Sequence, residues 1–148
     1  QLVKKNFGIS MIIPAEMQAS KKAKNFIWIS NNASSGMKNL ILMKVKREER
    51  REKANSDVFP AQEKQQIDSM LRTNMPGETD SMYMIIPVLS EKGLWEMKGD
   101  AMGGPYAMRR IRLRKTGDEI IIIGFVYAPE MKKKILIKQL EAAISTIK

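Results

Sequence analysis

The sequence predicts the α+β class: a mainly antiparallel sheet of about six to seven strands with two helices packed on one face, in the order strands, helix, strands, helix. Three observations carry that reading. Short runs rich in Ile, Val, Met and aromatic residues recur between clusters of turn residues. Two stretches of helix formers stand apart from them, one after Pro60 and one after Ala128-Pro129. The run Ile120 to Ile123, continued by Gly124-Phe125-Val126, is apolar at both parities, as a central strand covered on both faces must be.

In chain order, Gly8 to Pro14 and Asn25 to Ser30 read as the first two strands, joined by a polar stretch with Pro14, Glu16 and Lys21 to Lys24. After the breakers Asn31 to Gly36, Met37 to Lys46 alternates, with Ile41, Met43 and Val45 on one face and Leu42, Lys44 and Lys46 on the other, and forms a hairpin with the strand before it. From Pro60 onward, Ala61 to Gln66 are strong helix formers, Ile67, Met70 and Leu71 recur at helical spacing, and Asn74 and Pro76-Gly77 stop the helix. Ser56 or Asp57 caps it if it starts early; otherwise Pro60 sits in its first turn. Met82 to Leu89 is a strand interrupted by Pro87, which places it at an edge or a bulge. Gly93 to Lys98 follows as a strand, Gly99 to Pro105 as a long turn, and Tyr106 to Lys115 as a strand turning through Thr116-Gly117-Asp118 into Glu119 to Tyr127. The last helix opens at Ala128-Pro129-Glu130 and buries Leu136 or Ile137, Leu140, Ala143, Ile144 and Ile147.

With 148 residues the chain reads as one α+β domain spanning 1–148 and able to fold without disulfides or metal. Two similar halves, about 1–75 and 76–148, are open as a duplication. Met11-Ile12-Ile13-Pro14 returns as Met84-Ile85-Ile86-Pro87, and Trp28 and Trp95 precede Gly36 and Gly103 by eight residues each.

The chain has no Cys and no His, which excludes a thiolate nucleophile, a Cys/His zinc site and a Ser-His-Asp relay. Acid–base catalysis near neutrality is harder to build without imidazole, so no catalytic residue is assigned. The twelve Met residues read as core filler rather than as copper or haem ligands, and neither a metal nor a cofactor is expected. There is no apolar run long enough to cross a bilayer and no signal pattern. The opening Gln1-Leu2-Val3-Lys4-Lys5-Asn6 lacks an initiator Met and reads as the start of a piece cut from a longer precursor.

Twenty-six basic against 16 acidic residues, a net charge of +10, invite a polyanion reading. In Lys44 to Lys53, however, three glutamates cut the local field, and a solvated linker is the plainer account. The stripe Arg110, Arg112, Arg114, with Arg109 and Lys98 near it, reads either as a solvated sheet face or, with Tyr106 and Trp95, as a base-stacking platform. Trp28 and Trp95 themselves read as core.

The Gly99 to Pro105 turn is the most specific local feature. Its glycines permit unusual backbone angles and close approach of a ligand or another chain around Asp100 and Met102. It joins strand to strand and lacks the Lys-Ser/Thr signature, so it is not a phosphate loop of the familiar kinds. The candidate ligand- or partner-binding residues are therefore Trp95, Lys98, Asp100, Met102, Gly103, Gly104, Tyr106, Arg110 and Arg112. Asp100 and Glu96, with Asp80, are the carboxylates from which a hydrolase would have to be built.

The run Lys92-Gly93-Leu94-Trp95-Glu96-Met97-Lys98-Gly99-Asp100-Ala101-Met102-Gly103-Gly104-Pro105-Tyr106 resembles an uncharacterised family of unknown function, predicted lipid-anchored envelope proteins of gut anaerobic bacteria. Gly124 to Glu130, Gln139 to Ala143, Phe7-Gly8, Ile13 to Glu16 and Phe26 to Asn32 extend the resemblance over nearly the whole chain, as the C-terminal part of a family member. It implies a lipidated Cys upstream of Gln1 and a mature protein on the bacterial cell envelope, and it brings no activity. Members often carry Ser and His just after Gly-Gly-Pro, where this chain has Ala107-Met108-Arg109-Arg110, so no role resting on that His carries over.

Together these point to a non-catalytic binding or structural domain of an envelope lipoprotein that uses the Gly99 to Pro105 turn and its flanking strands. The partners in view are the missing N-terminal part of its own precursor, another envelope protein or a glycan, with the membrane reached only through the upstream anchor. The alternatives are a nucleic-acid or polyanion module on the basic strand face with Lys44 to Arg51, and a hydrolase using Asp100 with Glu96.

Overall fold

Residues 119–127 are buried at both parities up to Val126, and the strand they form lies at the centre of the sheet. The computed structural model describes residues 7–31, 37–46, 61–74, 83–86, 92–98, 103–113, 117–127 and 130–147. Its elements are β1 (Ala19–Ala23), β2 (Phe26–Ser30), β3 (Met37–Val45), α1 (Ala61–Asn74), β4 (Tyr83–Ile85), β5 (Lys92–Lys98), β6 (Gly103–Arg112), β7 (Glu119–Tyr127) and α2 (Glu130–Ser145). One antiparallel sheet runs β1-β2-β3-β7-β6-β5-β4. The chain builds β1 to β3 as a meander, crosses through α1 to the opposite edge, and returns by β4 to β7 to close against β3. The α+β class and the strand–helix order are those expected, and β4 lies at an edge, as a strand followed by Pro87 should.

The helices lie on opposite faces, not together on one. On the first face Phe26, Ile41, Met43, Val45, Ile121, Ile123 and Phe125 pack with Ile67 and Leu71 of α1. On the second, Ile27, Ile29, Leu40, Leu42, Ile120, Ile122 and Val126 pack with Leu140 and Ile144 of α2. The reason lies in β3 and β7, where consecutive residues are buried and need apolar cover on both sides. One helix has one apolar stripe, so each face takes one. Burial of Ile67 and of Leu71 contributes roughly 1.5–3 kcal/mol each. α1 also docks through Gln66, whose side chain exchanges hydrogen bonds with the backbone of Lys46 (Lys46 N to Oε1 2.9 Å, Nε2 to Lys46 O 3.0 Å). α2 approaches β7 closely at Gly124, where a Cβ would stand 3.0 Å from that of Leu140.

The stretch expected as the first strand is a strap. Residues 8–14 do alternate, with Phe7 and Ile9 buried, Met11 and Ile13 half-buried, and Gly8, Ser10 and Ile12 exposed. They lie flat across the second face, over β2 and β3, instead of joining the ladder. Three contacts fix the direction, antiparallel to β3: Lys44 Nζ stands 5.9 Å from the Phe7 ring centroid, Ile12 N donates to Thr146 Oγ1 at 2.8 Å, and Glu16 reaches Lys38. The place beside β2 belongs to β1, whose Ala-Ser-Lys-Lys-Ala carries no apolar alternation. Its lysines suit an edge strand, and Asn25, at φ 57°, makes the tight turn into β2.

The long turn is also shorter than expected. β6 begins at Gly103, level with Glu96, so Gly103-Gly104-Pro105 belong to a strand. Residues 99–102 lie outside the described residues, as do Ser56, Asp57, Pro60, Asp80, Arg114 and most of Lys44 to Lys53. No helix among the described residues is long and apolar enough to cross a membrane.

Candidate functional site

The Trp-to-Pro run resolves into two interlocked aromatic–glycine pairs on the first face. Trp95 stands level with Gly104 and Tyr106 with Gly93. Trp95 is 2% exposed. Its indole crosses Gly104 to reach β7, where Nε1–H donates to the Val126 carbonyl at 3.1 Å and the ring meets Phe125 edge-on with centroids 5.4 Å apart. A Cβ on Gly104 would lie 2.4 Å from Val126 O and 3.1 Å from Trp95 Nε1. A Cβ on Gly93 would lie 2.8 Å from the Tyr106 ring, and one on Gly103 2.9 Å from Trp95 O. The β6–β7 ladder ends at Tyr106 level with Phe125. The next residue of β6 is Pro105, which has no N–H to give, and the indole serves the carbonyl one step beyond that pair. The glycines thus provide room for aromatic side chains and a backbone acceptor.

Of the candidate residues, the fold brings together Trp95, Gly103, Gly104 and Tyr106. Lys98 ends β5, level with Tyr83. Arg110 and Arg112 share the first face with Tyr106 but stand level with Ile121 and Glu119, and Arg112 is roughly 20 Å along the strand from Tyr106 at ~3.3 Å per residue. Arg109 falls on the second face. Trp95 and Tyr106 are both buried, so neither offers a ring to a base beside the arginines. Asp100 and Met102 lie outside the described residues, while Glu96 is exposed on the second face. Among the described residues no group of three or more acidic side chains is placed to hold a metal ion.

The second face at β5 and β6 is the open part of this region. α2 lies over β7, β6 and β3, and toward β5 it extends an ion pair, Lys92 Nζ to Glu141 Oε1 at 3.1 Å. With the Lys92 side chain 72% exposed, that pair contributes at most ~1 kcal/mol. Between helix and strands runs an open groove of about 530 Å³ lined by Lys92, Ala107, Arg109, Glu141, Ile144 and Ser145. Arg109 Nη1 donates to Ile144 O at 3.2 Å, which holds the guanidinium at the carbonyl end of α2, where the helix dipole favours a cation. Beside the groove Leu94 is 72% exposed, level with Pro105 across the strand pair.

Two features here escaped the sequence reading. Leu94 could have been found, because Leu94 and Trp95 are adjacent in one strand and must point to opposite faces. Lys38 had no such signal. It is 3% exposed, and its ammonium donates to Glu16 and, at 2.8 Å, to Gln139 Oε1, joining strap, sheet and α2. The hydrogen bond from Lys38 holds the Glu16 carboxyl below its ordinary range.

No curated protein and no solved structure matches the chain. A family model does, over residues 1–146, and its extent is nearly that of the fold just described. The chain belongs to that family, described as Domain of unknown function (DUF4837).

Proposed function

We propose that the chain is a non-catalytic binding domain of a lipid-anchored bacterial envelope protein, which holds a protein partner against the second face of β5 and β6. The observation that carries the reading is Leu94, a large apolar side chain 72% exposed in mid-strand where α2 leaves the sheet bare. An exposed leucine is ordinary by itself; what supports the reading is its place beside an open groove rimmed by charge, which gives a partner an apolar foothold and polar neighbours. Lys92 and Arg109 flank the groove on a chain of net charge +10, so the partner that fits presents an apolar side chain with carboxylates beside it. The envelope location rests on the resemblance carried by the Trp-to-Pro run. The nucleic-acid alternative has little to support it, since Trp95 and Tyr106 spend their rings on Gly104, Phe125 and Gly93.

A photoreactive amino acid placed at position 94 of the full-length parent, in the cell that makes it, tests this. One discrete partner should cross-link at 94 and not at exposed Lys22 on β1. With that partner purified, Leu94→Asp should weaken binding at least ~10-fold, equivalent to about 1.4 kcal/mol, without moving the unfolding midpoint. Affinity should fall modestly between ~50 and ~200 mM salt, as a few exposed charge pairs are screened, whereas polyanion binding falls steeply. Equal cross-linking at both positions, or unchanged binding by Leu94→Asp, overturns the proposal.

A further inference from the structure

The second face carries two exposed strips side by side. One is on the sheet, where β5 presents Lys92, Leu94 and Glu96. The other is the outer ridge of α2. Leu140, Ala143 and Ile144 turn to the sheet, so the opposite side of the helix shows Lys134, Ile135, Lys138, Ala142 and Ser145. Ile135 is 63% exposed and Leu94 72%. Among the described residues Lys134, Lys138 and Glu96 form no ion pair.

The heights of the two strips along the strands match. Leu140 packs on Gly124, where an added Cβ would stand 3.0 Å from its own. Gly124 is level with Ala107, and Ala107 with Lys92. From that level Leu94 lies two residues along β5, ~7 Å toward the Tyr127 end of the sheet. Ile135 lies five residues back along α2, ~7.5 Å toward the same end, since the helix opens at Glu130 just after Tyr127. The lateral spacing matches as well. Packed helices lie ~8–10 Å apart and strands ~4.8 Å, so one helix width is two strands. α2 rides on β7 and β6, and the next helix position on this face is over β5 and β4.

We propose that a second copy of this chain fills that position with its own α2, in a two-fold dimer whose axis runs along the strands between the two helices. The inference rests on the reading of the Leu94 surface as a docking site and names its partner. Rotation about such an axis keeps every residue at its height, so Ile135 of each copy comes over Leu94 of the other. Lys134 and Lys138 then flank that contact and face Glu96, the next residue on the same side of β5. Glu141 of the second copy arrives at the height of Lys92 and brings the carboxylate that suits the cations of the groove. The contact is isologous: both strips belong to each chain, and closing one contact closes its mate. It is smaller than the ~20–30 residues a side of a standard interface, so the dimer should dissociate in the range of ~10–100 µM.

The test is sedimentation equilibrium of the chain from ~1 to ~500 µM in ~150 mM salt, where a Debye length of ~8 Å limits repulsion between copies of net charge +10. A monomer–dimer equilibrium is expected. Leu94→Asp and Ile135→Asp should each weaken it at least ~10-fold, while Ile12→Asp, at a side chain 70% exposed on the strap, leaves it unchanged. Charge reversal gives the decisive readout. Glu96→Lys, and separately the double variant Lys134→Glu with Lys138→Glu, should dimerise ~10-fold more weakly than the parent. An equimolar mixture of the two should associate as tightly as the parent, because each then meets its opposite charge at both contacts. All these side chains are exposed, and an unchanged urea midpoint certifies the fold of each variant. A chain that stays monomeric at ~500 µM, or a mixture no tighter than its components, overturns the dimer. The photo-cross-link at position 94 separates this result from the docking reading. Capture of a different protein there overturns the dimer and leaves the docking surface in place, whereas capture of nothing overturns both.

Discussion

Gly104→Ala puts the packing of the Trp-to-Pro run to a direct test. The added methyl would stand 2.4 Å from the Val126 carbonyl oxygen, about an ångström inside contact distance, and 3.1 Å from Trp95 Nε1. The obstructing atom is backbone in the central strand and cannot swing aside. Overpacking of this kind costs about 1–3 kcal/mol. Relief requires β6 or the indole to move, which breaks the Trp95–Val126 hydrogen bond and leaves a buried donor and acceptor unsatisfied, a further ~1–3 kcal/mol. Removing a glycine from the unfolded chain returns ~0.5–1 kcal/mol. The net loss is about 3 kcal/mol, a large share of the ~5–15 kcal/mol that holds a domain. Urea unfolding followed by Trp fluorescence should show the midpoint falling by ~1–3 M for a slope of ~1–3 kcal/mol/M. Gly124→Ala is the comparison. Its methyl meets only side chains, Leu140 Cβ at 3.0 Å and Ile144 Cδ1 at 3.2 Å, so its loss should be nearer ~1 kcal/mol. If Gly104→Ala loses no more than Gly124→Ala, the account of this run as a packing device is wrong.

Trp95→Phe keeps the ring against Phe125 but removes the donor to Val126 O, and should lose ~1–3 kcal/mol in the same urea assay. Arg109→Ala removes the hydrogen bond to Ile144 O and should lower stability by about 1 kcal/mol while leaving the fold intact by circular dichroism. Glu16→Ala should destabilise more than Lys38→Met, because the first leaves a buried ammonium short of its anion and the second leaves a half-exposed carboxylate in water. The pH dependence has a definite sign. Lys38 depresses the folded Glu16 carboxyl below its ordinary 4.5, so its contribution is complete above that pH and is lost as pH falls through the lower folded value. The urea-midpoint gap between the parent chain and Glu16→Gln should therefore be widest near neutrality and close in acid.

What was legible in the sequence was whatever a strand or helix declares through its own alternation. β7 announced its central place because Ile120 to Ile123 are apolar at both parities, and α2 its buried stripe through Leu140, Ala143, Ile144 and Ile147. The same double burial in β3 and β7 already required cover on two faces, and the single-face expectation missed that consequence. The strap was read as a strand from its run of apolar residues, and such a run cannot say whether an extended segment joins a ladder or lies across a sheet. β1 was invisible because an edge strand with exposed side chains has no hydrophobic pattern to show. Lys38 was invisible because the partners that make its burial tolerable, Glu16 and Gln139, are 22 and 101 residues away.

The residues that identify the family and the residues that would meet a partner are largely different sets. Gly93, Trp95, Gly103, Gly104 and Tyr106 dominate the resemblance, and packing accounts for each: two glycines receive rings, Gly103 clears the Trp95 carbonyl, and the indole serves a carbonyl beside Pro105. A motif explained this fully by the interior is a recipe for building β5–β6–β7, and it says how the scaffold is built, not what it holds. Function must then be sought where the fold leaves side chains without a structural task. Leu94 lies between the structural residues Gly93 and Trp95, yet it points the other way and is 72% exposed. Its substitution leaves the aromatic–glycine pairs untouched, so loss of binding there is separable from loss of fold, which no substitution within the Trp95–Gly104 pair can offer.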